Sequence, residues 1–571
     1  MTFGICPGIL KRNRTVLIPK TGKDTARAEN WRPITIGPLV LRLLTGIIRR
    51  KLSNVVPLHE SQKGFVDEPG CSVNVFLLNE ALEAAKKSGK LAGVLIDVSK
   101  AFDTVPHSLL RKTLKAHRVL EALTRSKTWF MKDPEVSLGE VKIPSTDAGK
   151  VVRYLSIDVS IWSRAPGGDI NKKTLEFVQA LGRARLKPSQ KVVLLKGYVL
   201  PKLFYELQMG FPRAKTLNGL DLIIREEVKS WLKLPATTSD AFFYKLNEDG
   251  GLGLPRPRTN IPAAILRRGT AILNCKDRRV QAIVLSSQSM RSWADMAAQN
   301  GYAWPTDKNK IGSTKWVKVK REAKTWSRQA YHGTGIVARK RDRHGNWWLK
   351  RSDSLRPGDF IAAVQLLTRT FPAKLTLSLA GRPRMCTTCR RCRTECESIG
   401  HILGSCPSTK PQRIARHDTI RDALGKAAIK AGLSVAKEQS VGVGDDRLRP
   451  DLIIVDGTKS FIVDITVRYE WGLSLADADR EKTEKYDRLR LAVDLLFSGT
   501  SCAGVLPIVV GSLGTIPMTT VRNLRLLGLC SNKILGFFSR VALNRSIWMA
   551  SDFMDEGGGV RERTGYARCG F

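Results

Sequence analysis

Between Arg449 and Glu470 the chain reads RPDLIIVDGTKSFIVDITVRYE, and no other stretch constrains its fold as tightly. LIIV at 452–455 and FIV at 461–463 are short apolar runs joined by the turn residues Asp456 and Gly457, so they predict a β-hairpin. The hairpin brings together Asp451 and Asp464, which are separated by twelve residues. Magnesium takes oxygen ligands in an octahedron and usually keeps waters, so two adjacent carboxylates hold Mg²⁺ with positions open for a scissile phosphate and an attacking water. Such a site needs a lysine to polarise the water or neutralise the developing charge. Lys482 and Lys485 lie in LADADREKTEKYDRLRLAVDLLF, a helix-forming stretch that projects both from roughly one face beside Tyr486. On these residues alone, an ordinary hairpin turn and a solvated lysine face account for the pattern equally well.

A chain of 571 residues is too long for one core and predicts three or four domains. Lys and Arg number 95 against 52 Asp and Glu, a formal charge of +43. That balance attracts polyanions over long distances and makes affinity fall steeply with salt, so nucleic acid is the expected partner. An anionic membrane surface is the other polyanion in view, but no apolar run approaches the ~18–20 residues of a membrane-spanning helix. The opening MTFGICPGIL, followed at once by KRNR, lacks the charge-then-apolar order of a secretory signal.

Eleven cysteines are present, and five crowd between Cys386 and Cys406, a pattern of metal binding in a reducing compartment and not of a disulfide framework. In RMCTTCRRCRTECESIGHILGSC, Cys389 and Cys392 are two residues apart, eight more lead to His401 and four more to Cys406. Three thiolates and an imidazole at these spacings predict a tetrahedral Zn²⁺ site that folds a peptide with too little apolar surface to fold alone. Cys386 and Cys396 offer alternative pairs. Such a site either staples neighbouring domains or, through Arg390, Arg391 and Arg393, touches phosphates.

Towards the amino terminus, VLIPKTG (16–22), WRPITI (31–36), the basic amphipathic LVLRLLTGIIRRKL (39–52) and QKGF (62–65) lead to LAGVLIDVSKAFDTVPH (91–107), which sets Asp97 at the end of an apolar strand. By position alone Asp97 is equally a helix-capping residue. Together the strings resemble the fingers and first palm motif of reverse transcriptases from non-LTR retrotransposons. The resemblance implies that Asp97 holds the catalytic metal, with Asp103 as the second, non-catalytic carboxylate of the motif. It also implies that Phe102 is the bulky gate under the incoming sugar and that Arg32 faces the triphosphate. Two-metal phosphoryl transfer needs a second carboxylate pair, usually aromatic-Ala-Asp-Asp on a hairpin, and the sequence has no such string. Asp445-Asp446 follows a glycine-rich segment far away. The template grip and the Asp-Asp hairpin are expected to be deleted between about residues 112 and 130, because EVSLGEVKIPSTDAGKVVRYLSI already resembles the segment just before the thumb.

ARLKPSQKVVLLKGYVLPKLFYELQMG (184–210) and the stretch 228–273, with its Asp-Gly-Gly loop, resemble the helical thumb of the same family; without that resemblance they read as an ordinary helical bundle. Residues 274–385 combine dense positive charge with Trp316, Trp326, Trp347 and Trp348, which serve either for base stacking or, more commonly, as core anchors.

The pairing of Pro450-Asp451 with Asp464 and later lysines resembles the PD-(D/E)-x-K restriction-like endonucleases, with Thr466 in place of the usual lysine, whose role then falls to Lys482 or Lys485. The order of parts resembles the site-specific ribosomal-DNA R-two clade of non-LTR retrotransposon polyproteins. The expected architecture is multidomain α+β. It comprises partial right-hand polymerase fingers and palm (1–116), a pre-thumb segment and helical thumb (117–273), a basic helical linker (274–385), a zinc knuckle (386–417), an α/β nuclease (418–541) and a basic tail (542–571). The clade implies target-primed reverse transcription, with target DNA and element RNA as partners and action in the nucleus. The surviving activity expected here is Mg²⁺-dependent DNA nicking. A catalytically inactive nucleic-acid-binding remnant is the alternative.

Overall fold

The computed structural model describes residues 14–19, most of 24–88, 106–116, 152–159 but for 156, 169–302, interrupted stretches between 304 and 350, 354–381, 386–443 and 446–555. The chain folds as two units, Met1–Gly167 with Arg268–Arg291, and Gly168–Arg267 with Ser292–Phe571. Asp97, Phe102, Asp103 and Trp316 lie outside the described residues.

In the first unit, β1 (Arg14–Pro19) and β2 (Trp31–Ile36) form an antiparallel ribbon with Arg14 opposite Ile36, and Arg32 sits exposed on β2 opposite Ile18. The amphipathic stretch forms α1 (Leu39–Val55), whose Leu39, Val40, Leu43 and Ile47 are exposed. Helix α2 (Gly70–Ser88) buries Val73, Val75, Phe76 and Leu82, and a buried ion pair joins Lys63 to Asp277 at 2.9 Å. α3 (His107–Ala116) and the short antiparallel strands β3 (Val152–Tyr154) and β4 (Ile157–Val159) complete the described part of this unit's first segment.

The second unit begins with helices. Asp169 caps α4 (Ile170–Arg183) by accepting from Asn171 N and Lys172 N, which satisfies two of the donors left open at a helix start. α5 (Pro188–Leu194) runs through a π-turn at Leu195–Val199 into α6 (Leu200–Leu207), and α7 (Ala214–Leu232) packs on α4. Buried Asp221 of α7 accepts from Tyr244 Oη at 3.1 Å and Arg256 Nε at 2.7 Å. Trp326 and Trp348 are fully buried against Phe242 and Phe360, so these two tryptophans anchor the core and do not stack bases.

The rest of the unit is a three-layer α/β body. The elements that build it are α8 (Pro357–Thr368), α9 (Ile399–Gly404), α10 (Lys410–Lys430), β5 (Ser434–Lys437), β6 (Val441–Val443), β7 (Asp446–Leu448), β8 (Leu452–Asp456), β9 (Lys459–Arg468), α11 (Ser474–Asp487), α12 (Arg490–Leu496), β10 (Ser501–Gly511), α13 (Met518–Leu526) and α14 (Asn532–Met554). The main sheet has the order β10-β9-β8-β5, with β9 parallel to β10 and the other pairs antiparallel. The hairpin read from the sequence is β8-β9, and Gly457 takes φ 55°, the left-handed conformation its turn requires. Alternation sends Leu452, Ile454, Phe461, Val463 and Ile465 onto α10, α13 and α14, while Ile453 and Ile462 face Tyr486, Leu489 and Val493 of the α11–α12 layer. The two helices between β9 and β10 supply the crossover that a parallel pair needs.

Part of the stretch that the sequence marks as a linker is anchored to this body. Arg339 donates to Leu513 O at 2.7 Å, Arg369 to Glu470 O at 2.5 Å, and Asp342 Oδ2 accepts from Ile516 N at 2.9 Å. Burial raises the Asp342 carboxyl above its ordinary range. Among the described residues, no helix is long and apolar enough to cross a membrane.

Candidate metal and nucleic-acid site

The β8-β9 register sets Leu452 opposite Val463, so one step further Asp451 faces Asp464 where β8 has ended. On the side where β8 does not extend, Ile465 N donates to Asp451 Oδ2 at 2.7 Å. Asp464 is 2% exposed, and its Oδ2 meets Lys482 Nζ at 2.7 Å as an ion pair. Burial first, and then the charge of Asp451, raise the Asp464 carboxyl, with Lys482 opposing. Lys482 is thus the lysine that α11 delivers. Lys485 is exposed, and its Nζ lies 4.8 Å from the centroid of the Tyr486 ring. Tyr486 is buried behind the pair, and burial together with the Asp464 charge raises its phenol well above the ordinary range. Thr466 lies partly buried two residues beyond Asp464 on β9.

His417, on α10, is a neighbour that the sequence did not reveal. Its Nε2 lies 3.0 Å from Asp451 Oδ2 and 3.1 Å from Ile465 O, and its Nδ1 lies 3.0 Å from Asp418 Oδ1. Burial lowers its pKa, but the bonds and charges of Asp451 and Asp418 outweigh this and raise it to about 9. A histidine 34 residues before Asp451 has no spacing relation to the hairpin; α10 packing on β8 and β9 brings it there.

A second cluster joins Cys389, Cys392, His401 and Cys406, whose ligand atoms all lie within 4.8 Å of one another. Cys389 Sγ and Cys406 Sγ are 3.9 Å apart, and Cys392 Sγ is 3.3 Å from His401 Nε2. Metal–sulfur bonds of about 2.3 Å give a tetrahedral edge of about 3.8 Å, so the spacing fits one ion. His401 Nδ1 lies 2.7 Å from Glu395 Oε2, the outer contact that leaves Nε2 for a metal. Exposed Cys386 and Cys396 stand outside the group. Gly400 lets α9 approach the sheet, since a Cβ there would come 3.0 Å from Tyr469 Cδ1. Arg416 ties α10 to α9 and α14 through Leu403 O at 3.1 Å and Ser546 Oγ at 2.7 Å.

Residues 18–146 match the family model described as reverse transcriptase (RNA-dependent DNA polymerase). A Pol polyprotein from the type-1 retrotransposable element R2 of Popillia japonica is 31% identical, over 62% of this chain and 77% of the relative. The chain belongs to the R2 retrotransposon Pol polyprotein family. Another R2 Pol polyprotein of Popillia japonica is 27% identical over 88% of this chain and 85% of its own length. The type-2 R2DM polyprotein of Drosophila melanogaster is 22% identical over 86% of this chain and 57% of its own. The 27% match runs over 629 aligned residues, more than the 571 of the chain, so it opens gaps in this chain. The 31% match runs over 366 and covers 62% of the chain, which needs almost none.

Proposed function

We propose that this R2-family polyprotein retains a Mg²⁺-dependent DNA-nicking centre at Asp451, Asp464 and Lys482 and has lost primer extension. The observation that carries the reading is the buried Asp464 carboxylate, which stands across from Asp451 with the Lys482 ammonium 2.7 Å from its Oδ2. Burial and the facing charge of Asp451 both disfavour the ionised Asp464, and a cation held by the pair would relieve both. The order of one helix, three antiparallel strands, a crossover and a parallel strand supports the PD-(D/E)-x-K resemblance.

Asp451 and Asp464 would hold Mg²⁺, which when bound polarises the scissile phosphate and lowers the pKa of its water. His417 and Ile465 N fix the Asp451 carboxylate. Lys482 neutralises charge at the water or the phosphate, and Tyr486 closes the site behind it. Cys389, Cys392, His401 and Cys406 would hold Zn²⁺, which fastens the loop carrying three arginines to the α/β body. Polymerisation would lack its second carboxylate pair, since no aromatic-Ala-Asp-Asp string occurs in the sequence. Action on chromosomal DNA, in the nucleus, with element RNA as the other partner, follows from target-primed reverse transcription.

Purified protein should nick supercoiled plasmid in Mg²⁺, and Asp464→Ala should reduce nicking to background. Nicking that persists in Asp464→Ala sinks the site. Salt-dependent binding without any nicking by the unaltered protein would leave the inactive remnant.

A further inference from the structure

A cleft of about 810 Å³ lies between α9, α10 and the end of β9, bordered by His417 and Lys482, which contact the carboxylate pair, and by His401 of the Cys/His cluster. Its volume falls in the ~300–1,000 Å³ of ordinary ligand sites. Thr466, Arg468, Arg413, His417 and Lys482 line it, with Trp471 among them, and no Asp or Glu does. Along β9, Asp464, Thr466 and Arg468 alternate onto one face at about 6.6 Å per step, so the strand leads away from the carboxylates towards Trp471. Ile399, Ile414 and Ile465 add apolar wall.

Trp471 is 48% exposed, unlike buried Trp326 and Trp348. It is held from one side, with Arg369 Cζ 4.4 Å from its ring centroid and the Tyr331 ring edge-on at 6.3 Å. Buried Arg369 is itself fixed by its bond to Glu470 O, so the indole sits on a rigid support. A positive cleft with a braced, half-exposed tryptophan has the chemistry of a single-strand site: phosphates meet cations and an unpaired base stacks on the ring. Bases in a duplex have their faces covered by neighbours and offer no such surface.

We infer that this cleft binds single-stranded DNA, with Trp471 stacking one base and Arg468 neutralising the adjoining backbone, so that the strand reaches the carboxylates unpaired. The inference rests on the nicking centre proposed above for what the strand is held for, but binding is measurable without cleavage. Arg468 is exchangeable between partners, because it now pairs with the exposed Glu481.

The test uses the full chain without added Mg²⁺ or chelator and reads the anisotropy of a fluorescein-labelled oligothymidylate, with a duplex of equal length in parallel. Trp471→Ala should weaken the single strand roughly 5- to 150-fold, the range of one base–aromatic stack. It should leave the duplex within about twofold, and Trp471→Phe should retain most of the affinity. Equal losses for single strand and duplex, or no loss for either, would overturn the inference, as would tighter Trp471-dependent binding of oligouridylate than of oligothymidylate. Failure of the nicking centre shows separately, as plasmid nicking that survives Asp464→Ala while the Trp471 dependence stands.

Discussion

Tyr486 decides which of Lys482 and Lys485 meets the carboxylate pair. Tyr486 is buried, so it marks the inward face of α11, and the residue four before it lands on that face while Lys485 does not. The sequence contains this signal, since an aromatic in a charged helix marks the side that packs. Lys482→Ala should lower nicking roughly 10²- to 10⁴-fold, the scale of a positioned proton-transfer or charge-stabilising group, with Lys485→Ala within a few-fold, as read from single-turnover rates. Equal effects would contradict the assignment. His417 was not legible, because its only relation to Asp451 is tertiary. Its pKa of about 9 exceeds the unfolded ~6.5, so in protein free of divalent metal its interaction stabilises fully below pH ~6.5 and is lost as pH rises through about 9. A carbon-13 histidine titration should place one imidazole near 9 and find it lowered in Asp451→Asn. An unmoved midpoint would rule out Asp451 as the cause.

At the scale of elements, the hairpin and the Cys/His cluster were legible because short-range chemistry sets both. Asp456-Gly457 demands a tight turn, and register alternation then puts Asp451 and Asp464 side by side. Of the pairs the spacing leaves open, the structure gathers Cys389 and Cys392, and not Cys386 and Cys396, with His401 and Cys406. What the sequence left unread was the anchoring of residues 331–370, since the bonds of Arg339, Asp342 and Arg369 to Leu513, Ile516 and Glu470 span more than a hundred residues. Cys389 is buried and central to the cluster, so Cys389→Ser should release the ion and loosen α9, while Cys386→Ser should not. Zinc per chain by atomic emission checks this. One ion retained by Cys389→Ser, or lost by Cys386→Ser, would move the ligand set.

Across the whole molecule, the charge of +43 predicts nucleic-acid affinity that falls with salt at close to 0.9 log units per log unit for each duplex phosphate contacted, and ~0.7 for single strands. A flat dependence between low and moderate salt would leave that charge unexplained. The order of parts, more than any one motif, made the family legible, whereas Asp97 and Phe102 lie outside the described residues and their roles rest on resemblance. On the proposed reading the protein nicks DNA but does not extend a primer. Incubating the protein with supercoiled plasmid, an RNA template, Mg²⁺ and labelled deoxynucleotides reads both at once on a denaturing gel. Nicked strands with free 3′ hydroxyls and no incorporated label are expected. Labelled, extended strands, or intact plasmid, would contradict that reading.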